Sequence, residues 1–227
     1  MDTTPPPTVP GSQSRWEEAF LRFESPEEEQ EKFRKRLRRL GCDSWPRDAR
    51  VVDIFCGRGQ NLVVLEQLGF RNLEGVDLSA NLLNRYRGPA RMIEADCRDL
   101  PFPPSSRDVI VVQGGLHHLP NLGQDLPRTL DSVAATLKPG GLFVMVEPWR
   151  TPFLTFVHAI SRQKAARRLW SKLDAFEILY EEEHQTYDAW LDASADILRL
   201  LDQRFESRMR DIGWGKIHFV GSPRKTS

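Results

Sequence analysis

Three acidic residues, Asp53, Asp77 and Asp96, each stand at the end of a short apolar run, and a glycine turn follows the first. Val51-Val52-Asp53-Ile54-Phe55 leads into Cys56-Gly57-Arg58-Gly59 and then Gln60-Asn61-Leu62, the order of strand, turn and helix. Gly57 and Gly59 let a ligand approach the backbone closely, and amides at a helix start attract a carboxylate or phosphate. Asp77, eighteen residues after Gly59, closes Leu73-Glu74-Gly75-Val76-Asp77, where a carboxylate accepts from both hydroxyls of a ribose. Asp96, in Ile93-Glu94-Ala95-Asp96-Cys97, stands where it can accept from an adenine amino group while the Cys97 amide reads the neighbouring ring nitrogen. Any one acid is weak testimony, since acids often close strands. Three at successive strand ends point to an adenosine-containing ligand.

A fourth apolar run ends in Gln113-Gly114-Gly115-Leu116-His117-His118. Adjacent histidines offer a general base that titrates near neutral pH, or simply local packing and hydrogen bonding. Two adjacent histidines are too few ligands for a metal, and no metal is expected.

These groups need a scaffold. Val51 to Phe55 is apolar almost throughout, as a central parallel strand buried on both faces should be. Further strands are expected near 72–76, 91–95, 108–113 and 142–147. Leu126, Leu130, Val133 and Leu137 mark an amphipathic helix closed by Pro139-Gly140-Gly141. Strands alternating with helices at these lengths imply a doubly wound α/β sheet with right-handed crossovers.

Before this unit, residues 1–14 hold four prolines and read as a disordered tail. A helical arm over 15–41 follows, with Trp16, Phe20 and Phe23 on one face. Ser25-Pro26-Glu27-Glu28 supplies an N-cap, a first-turn proline and a capping-box glutamate. After Trp149, residues 151–183 read as mostly helical, and a further helix carries Trp190, Ala193, Ile197, Leu200 and Leu201 on one face. The chain ends in two strands, about 204–210 and 216–221, joined through Ile212-Gly213-Trp214-Gly215 as an antiparallel hairpin.

From about residue 48 to 149 the chain resembles the class I S-adenosylmethionine-dependent methyltransferases, of the small-molecule, type 11-like group. The likeness is carried by Asp53 to Gly59, Gly75-Val76-Asp77-Leu78-Ser79, Glu94-Ala95-Asp96-Cys97, Asp108 to His118 and Leu137-Lys138-Pro139-Gly140-Gly141, in that order and spacing. It implies a Rossmann-like, seven-stranded sheet, mostly parallel with an antiparallel C-terminal hairpin strand. Residues 15–227 would form one domain, with the 15–41 arm and an insertion at 149–187 as candidate covers.

The resemblance implies S-adenosyl-L-methionine as cofactor. Gly57 and Gly59 would line its methionine end, with Asp53 at the ammonium and Phe55 and Cys56 alongside. Asp77 and Leu78 would flank the ribose, Asp96 and Cys97 the adenine, and Gln113 and Gly114 the amino-acid part. His117 and His118 are the candidate bases. The acceptor segment lacks the proline pair and aromatic that hold nucleobase amines, which favours another small molecule.

Phe55 departs from the family, standing where its first glycine usually lies. Its ring either fills part of the methionine pocket or points away.

Composition narrows the alternatives. Lys+Arg and Asp+Glu both number 32 in 227 residues, so no net basic field draws a polyanion, and nucleic acid is not the expected partner. A local patch of Arg150, Arg162, Lys164, Arg167, Arg168 and Lys172 keeps RNA or protein methylation as an alternative, beside a non-enzymatic cofactor-binding protein. A nicotinamide dehydrogenase fails because Leu62 occupies the third glycine position. Cys42, Cys56 and Cys97 form neither a disulfide framework nor a metal pair, and with no signal peptide or membrane-length apolar run the expected setting is the cytoplasm.

The Phe55→Gly variant is expected to change cofactor affinity only modestly in calorimetry. A large gain would mean that the ring obstructs the pocket.

Overall fold

A computed structural model of the chain describes residues 18–20 and 22–224, so the expected tail and Trp16 lie outside the described residues. Seven strands form one sheet in the order β3-β2-β1-β4-β5-β7-β6. They are β1 (Arg50–Ile54), β2 (Asn72–Asp77), β3 (Arg91–Glu94), β4 (Arg107–Gln113), β5 (Leu137–Pro148), β6 (Phe205–Gly213) and β7 (Lys216–Pro223). β1 to β5 run parallel, and the closing hairpin pairs antiparallel through β7 on β5. This is the expected mostly parallel, Rossmann-like sheet with its reversed C-terminal strand.

Alternation along the central strands sends side chains into two separate cores. Val52, Ile54, Ile110, Val112, Phe143 and Met145 face one layer, and Val51, Val109, Val111 and Val144 face the other. The second layer is built from α1 (Pro26–Arg39) and α2 (Gln60–Gln67), through Phe33, Leu37, Leu62 and Leu65. A four-residue turn of helix, α3 (Ala80–Leu83), follows β2. The first layer holds α4 (Leu122–Thr136), then α5 (Pro152–Ser161), α7 (Ser171–Asp192) and α8 (Ser194–Arg204) after β5, with the short α6 (Lys164–Leu169) between α5 and α7.

α1 begins as its sequence dictates. The Ser25 side chain accepts from the Glu28 amide while Glu28 accepts from the Ser25 amide, and Pro26 opens the first turn. Two boundaries differ from expectation. α4 stops at Thr136, and Leu137 is already extended and paired with Arg107, one residue earlier than its apolar pattern suggested. Trp190, Ala193, Ile197 and Leu201 do not share one helix, because the chain breaks at Ala193 between α7 and α8. Trp190, Ile197 and Leu201 still enter the same core, which is what the periodicity reported. Among the described residues no helix is long and apolar enough to cross a membrane.

Trp190 is the join between sheet and insertion. Its indole is fully buried, and its Nε1–H donates to the Pro148 carbonyl at 2.8 Å, fixing α7 to the end of β5. Trp190→Phe leaves that carbonyl unpaired and is expected to cost about 1–3 kcal/mol in urea denaturation. Trp190→Ala is expected to cost about 3–5 kcal/mol, because it also opens a cavity.

Candidate active site

β1, β2, β4 and β5 end, and β7 begins, at the same edge of the sheet, around a cavity of ≈540 Å3. The strand order reverses between β1 and β4, the switch point at which open α/β sheets bind ligands. Asp53, Phe55, Cys56, Gly57, Asp77, Gln113, Gly114, His117 and His118 all line this cavity. Gly59, Leu78, Asp96 and Cys97 do not.

At its floor is a buried polar chain. Asn61 Nδ2 donates to Asp53 Oδ1 at 2.9 Å, and Gln113 Nε2 donates to Asn61 Oδ1 at 3.0 Å. Gln113 Oε1 is buried without a partner, and the second Asp53 oxygen has none among the described residues. Burial pushes the Asp53 carboxyl up to about 7, against the lowering effect of the Asn61 hydrogen bond. Two acceptors facing one cavity, one an incipient carboxylate, suit an ammonium group.

The turn above them is held open by backbone conformation. Gly57 has φ +53 and a Cβ there would meet nothing within 4 Å, so its surface is available for contact. Gly59 has φ +79, and a Cβ there would sit 2.4 Å from the Tyr86 ring, so close packing as well as conformation demands glycine. The Gly57 amide donates to Asp77 Oδ2 and the Ser79 amide to Oδ1, which fixes the carboxylate at the cavity wall with lone pairs to spare.

Phe55 adopts the left-handed conformation, φ +57, which is strained for a side chain bearing a Cβ. Its ring lies over Gly115, where a Cβ would come within 2.4 Å of Phe55 Cβ. The ring both packs on the first core layer and lines the cavity, so it is neither a plug across the turn nor turned wholly away.

Asp96 is committed elsewhere. Arg98 donates to both of its oxygens and also to Asp125, and this guanidinium holds the Asp96 carboxyl below its ordinary value. An adenine amino group there competes with Arg98, a contact between residues two apart that spacing alone does not reveal. The Cys97 amide is used by no turn or loop hydrogen bond among the described residues. Leu78 is exposed.

The sequence reading missed the partner that gives His117 its orientation. Glu147, wholly buried at the end of β5, accepts from the Gly115 and Leu116 amides at 2.8 and 2.9 Å and pairs with His117 Nδ1 at 2.8 Å. A carboxylate accepting there places the proton on Nδ1 and leaves Nε2 as the basic nitrogen. The one signal was an acid ending the apolar run Phe143-Val144-Met145-Val146.

Glu183 of α7 was also unforeseen, lying 4.0 Å from His117 Nε2 and 3.9 Å from His118 Nδ1. The histidines therefore do not stand alone, contrary to the basis on which a metal was dismissed. Their spacing is nonetheless wider than the ~3.4 Å between ligands around a tetrahedral ion bonded at ~2.1 Å. Desolvation in the cavity and the His117 ring lower His118 from the ordinary imidazole value, an effect that its 38% side-chain exposure moderates.

Both expected covers wall the cavity. Phe20, Phe23 and Phe33 come from the arm, and Phe176, Tyr180 and Tyr187 from α7. The covers meet through the Phe23 and Phe176 rings at 6.1 Å, and Lys172 bridges to Glu28 at 2.8 Å.

The sequence profile described as a methyltransferase domain matches residues 52–145, the span holding the floor, the turn and the histidines. Over that span the chain is similar to the methyltransferase-domain family. It is similar to the demethylmenaquinone methyltransferase of Bacillus licheniformis, 27% identical over 110 residues, which are 45% of this chain and 46% of that one. The chain thus spans about half the length of the curated relatives it matches. Its fold is similar to that of the PH0226 protein of Pyrococcus horikoshii, with a TM-score of 0.67 and 18% identity, covering 92% of this chain and 98% of that one. It is also similar to geranyl diphosphate C-methyltransferase of Streptomyces coelicolor, solved with geranyl diphosphate and S-adenosyl-L-homocysteine, with a TM-score of 0.58 and 15% identity over 87% and 78% of the two chains.

The raised Asp53 pKa makes a testable statement about stability. Between its ordinary 3.8 and about 7 the folded chain binds more protons than the unfolded chain. Stability therefore falls as pH rises through that window, and the loss is complete above it. Asp53→Asn mimics the protonated form and keeps an acceptor for Asn61. It is expected to raise Tm by about 5 °C or more at pH 8 and to leave it unchanged below pH 4. An equal change at both pH values would show that Asp53 ionisation carries no such cost.

Proposed function

We propose that this chain transfers a methyl group from S-adenosyl-L-methionine to a small-molecule acceptor. The observation that carries the reading is the buried Asp53–Asn61–Gln113 chain, with its unpaired acceptors beneath the Gly57 turn and Asp77 at the wall. The donor's ammonium would be received by Asp53 and Gln113 Oε1, and its ribose hydroxyls by Asp77. Cys97 and the exposed Leu78 would border the adenine, with Asp96 contributing only in competition with Arg98.

The sulfonium supplies an activated methyl when bound, so the chain itself must align the acceptor, exclude water and take up a proton. Nε2 of His117, oriented through Glu147, would receive that proton. The aromatic walls from the arm and α7 would exclude water and act as a lid. A small molecule fits a cavity of ≈540 Å3 with aromatic walls from the arm and α7, and the relatives named for demethylmenaquinone methylation support that class. The basic patch suggested for RNA has Arg150, Arg167 and Lys172 paired with Asp192, Asp174 and Glu28, which does not favour a polyanion.

Calorimetry with S-adenosyl-L-homocysteine tests the reading. Micromolar binding is expected, weakened by at least about tenfold in Asp77→Ala. No binding to the native chain would overturn it. In an acceptor screen with labelled donor, His117→Gln is expected to lower turnover by about 10²-fold or more while homocysteine-adduct affinity stays unchanged. Unaltered turnover would remove His117 as the base.

A further inference from the structure

The charged groups around the cavity are matched, with two exceptions. Lys32 pairs with Glu24, Arg58 with Glu29 at 3.2 Å, His117 with Glu147 and His118 with Glu183. Asp53 and Asp77 accept from Asn61 and from backbone amides, and Arg85 is engaged. Arg36 of α1 and Lys216 at the start of β7 also line the cavity, yet neither makes a hydrogen bond or ion pair with any described residue. Both are half-buried, and they lie close enough for Arg36 to lower the basicity of Lys216. Glu24 and Glu147 act on both cations, and Glu29 on Arg36, only from beyond ion-pair distance, so two cations in one cavity without a direct counter-ion suit an anionic ligand.

The sheet says which anion. Lys216 pairs with Pro148 at the end of β5, and β7 lies three strands from β1 in the order β1-β4-β5-β7. At ~4.8 Å per strand, Lys216 stands about 14 Å from the Asp53 strand. The donor's carboxylate and ammonium share one carbon, so with the ammonium on Asp53 the carboxylate stays at the β1 end of this span and Lys216 stands at the other. His117, on the loop after β4, falls between the two. Donor, base and Lys216 therefore lie in a row along the sheet edge, with Arg36 reaching the same cavity from α1. The walls nearest the covers are the aromatic side chains of α7 and the arm.

We propose that Arg36 and Lys216 form an anion subsite for the acceptor, so that the molecule methylated carries a carboxylate or phosphate on an apolar body. The proposal rests on the methyl-transfer reading above. Burial, with Arg36 and Lys32 nearby, pushes the Lys216 ammonium down to about 7, and an oxyanion beside it would restore its charge. Arg36 remains charged throughout the physiological range and offers a planar fork to an oxyanion.

The test titrates the full chain, with and without S-adenosyl-L-homocysteine, against 1-naphthoate, naphthyl phosphate and the neutral 1-naphthamide. Naphthoate or naphthyl phosphate is expected to bind, and the tighter of the two identifies the oxyanion. Arg36→Gln and Lys216→Met are each expected to weaken that binding by at least about tenfold. Both variants should bind S-adenosyl-L-homocysteine as the native chain does, and thermal melts will verify that they fold. The proposal is overturned if naphthamide binds as well as the anions, if neither anion binds, or if both variants bind the anions unchanged. It is equally overturned if the variants weaken the homocysteine adduct, which would give the cations to the donor's carboxylate. Failure of the native chain to bind that adduct sinks the methyl-transfer reading instead. The anion titration without adduct still reads the subsite in that case.

Discussion

A carboxylate buried at the end of a central strand must be neutralised, by a proton or by a cation. Asp53 is nearly inaccessible and has one side-chain hydrogen bond, from Asn61. Everything around it answers to that constraint. Asn61 is itself positioned by Gln113 across the switch point, which couples β1 to β4 through side chains as well as through the backbone ladder. The glycine turn keeps the space above the carboxyl open, and burial favours the protonated form of the acid. A cationic ligand that supplied the missing partner would allow the group to ionise, exchanging a buried proton for a buried ion pair.

The same sheet edge arranges the remaining chemistry by strand position. β1 presents the buried acid, the loop after β4 the histidine, β5 the carboxylate that orients it, and β7 an unpaired lysine. Such an arrangement needs no long-range mechanism, because parallel strands of similar length end together and their spacing sets the intervals. The arm and α7 close over this row from opposite layers. They meet each other through an aromatic contact and salt bridges at the surface, contacts weak enough to be remade as a ligand enters.

Much of the floor could be read from the sequence because it depends on local order. Asp53, Gly57, Asp77 and Gln113 sit at strand ends, and strand ends follow from apolar runs and turns. The residues that were missed are those whose role depends on tertiary proximity. Glu147 looked like one more acid closing a strand until its amide and histidine partners came into place. Glu183, Arg36 and Lys216 come from elements whose packing onto the site no local pattern records. Asp96 shows the reverse case, an acid legible after a strand that does not line the cavity and that Arg98 folds back to occupy. Phe55 was legible as a departure, while its strained backbone and its seat on Gly115 required the fold.

The most direct measurement of the central claim is a crystal structure of the chain with S-adenosyl-L-homocysteine. The account predicts the ligand's ammonium within hydrogen-bonding distance of both Asp53 and Gln113 Oε1, its ribose on Asp77, and its sulfur facing His117. A ligand seated elsewhere along the sheet, or an ammonium exposed to solvent while Asp53 keeps its present surroundings, would contradict it.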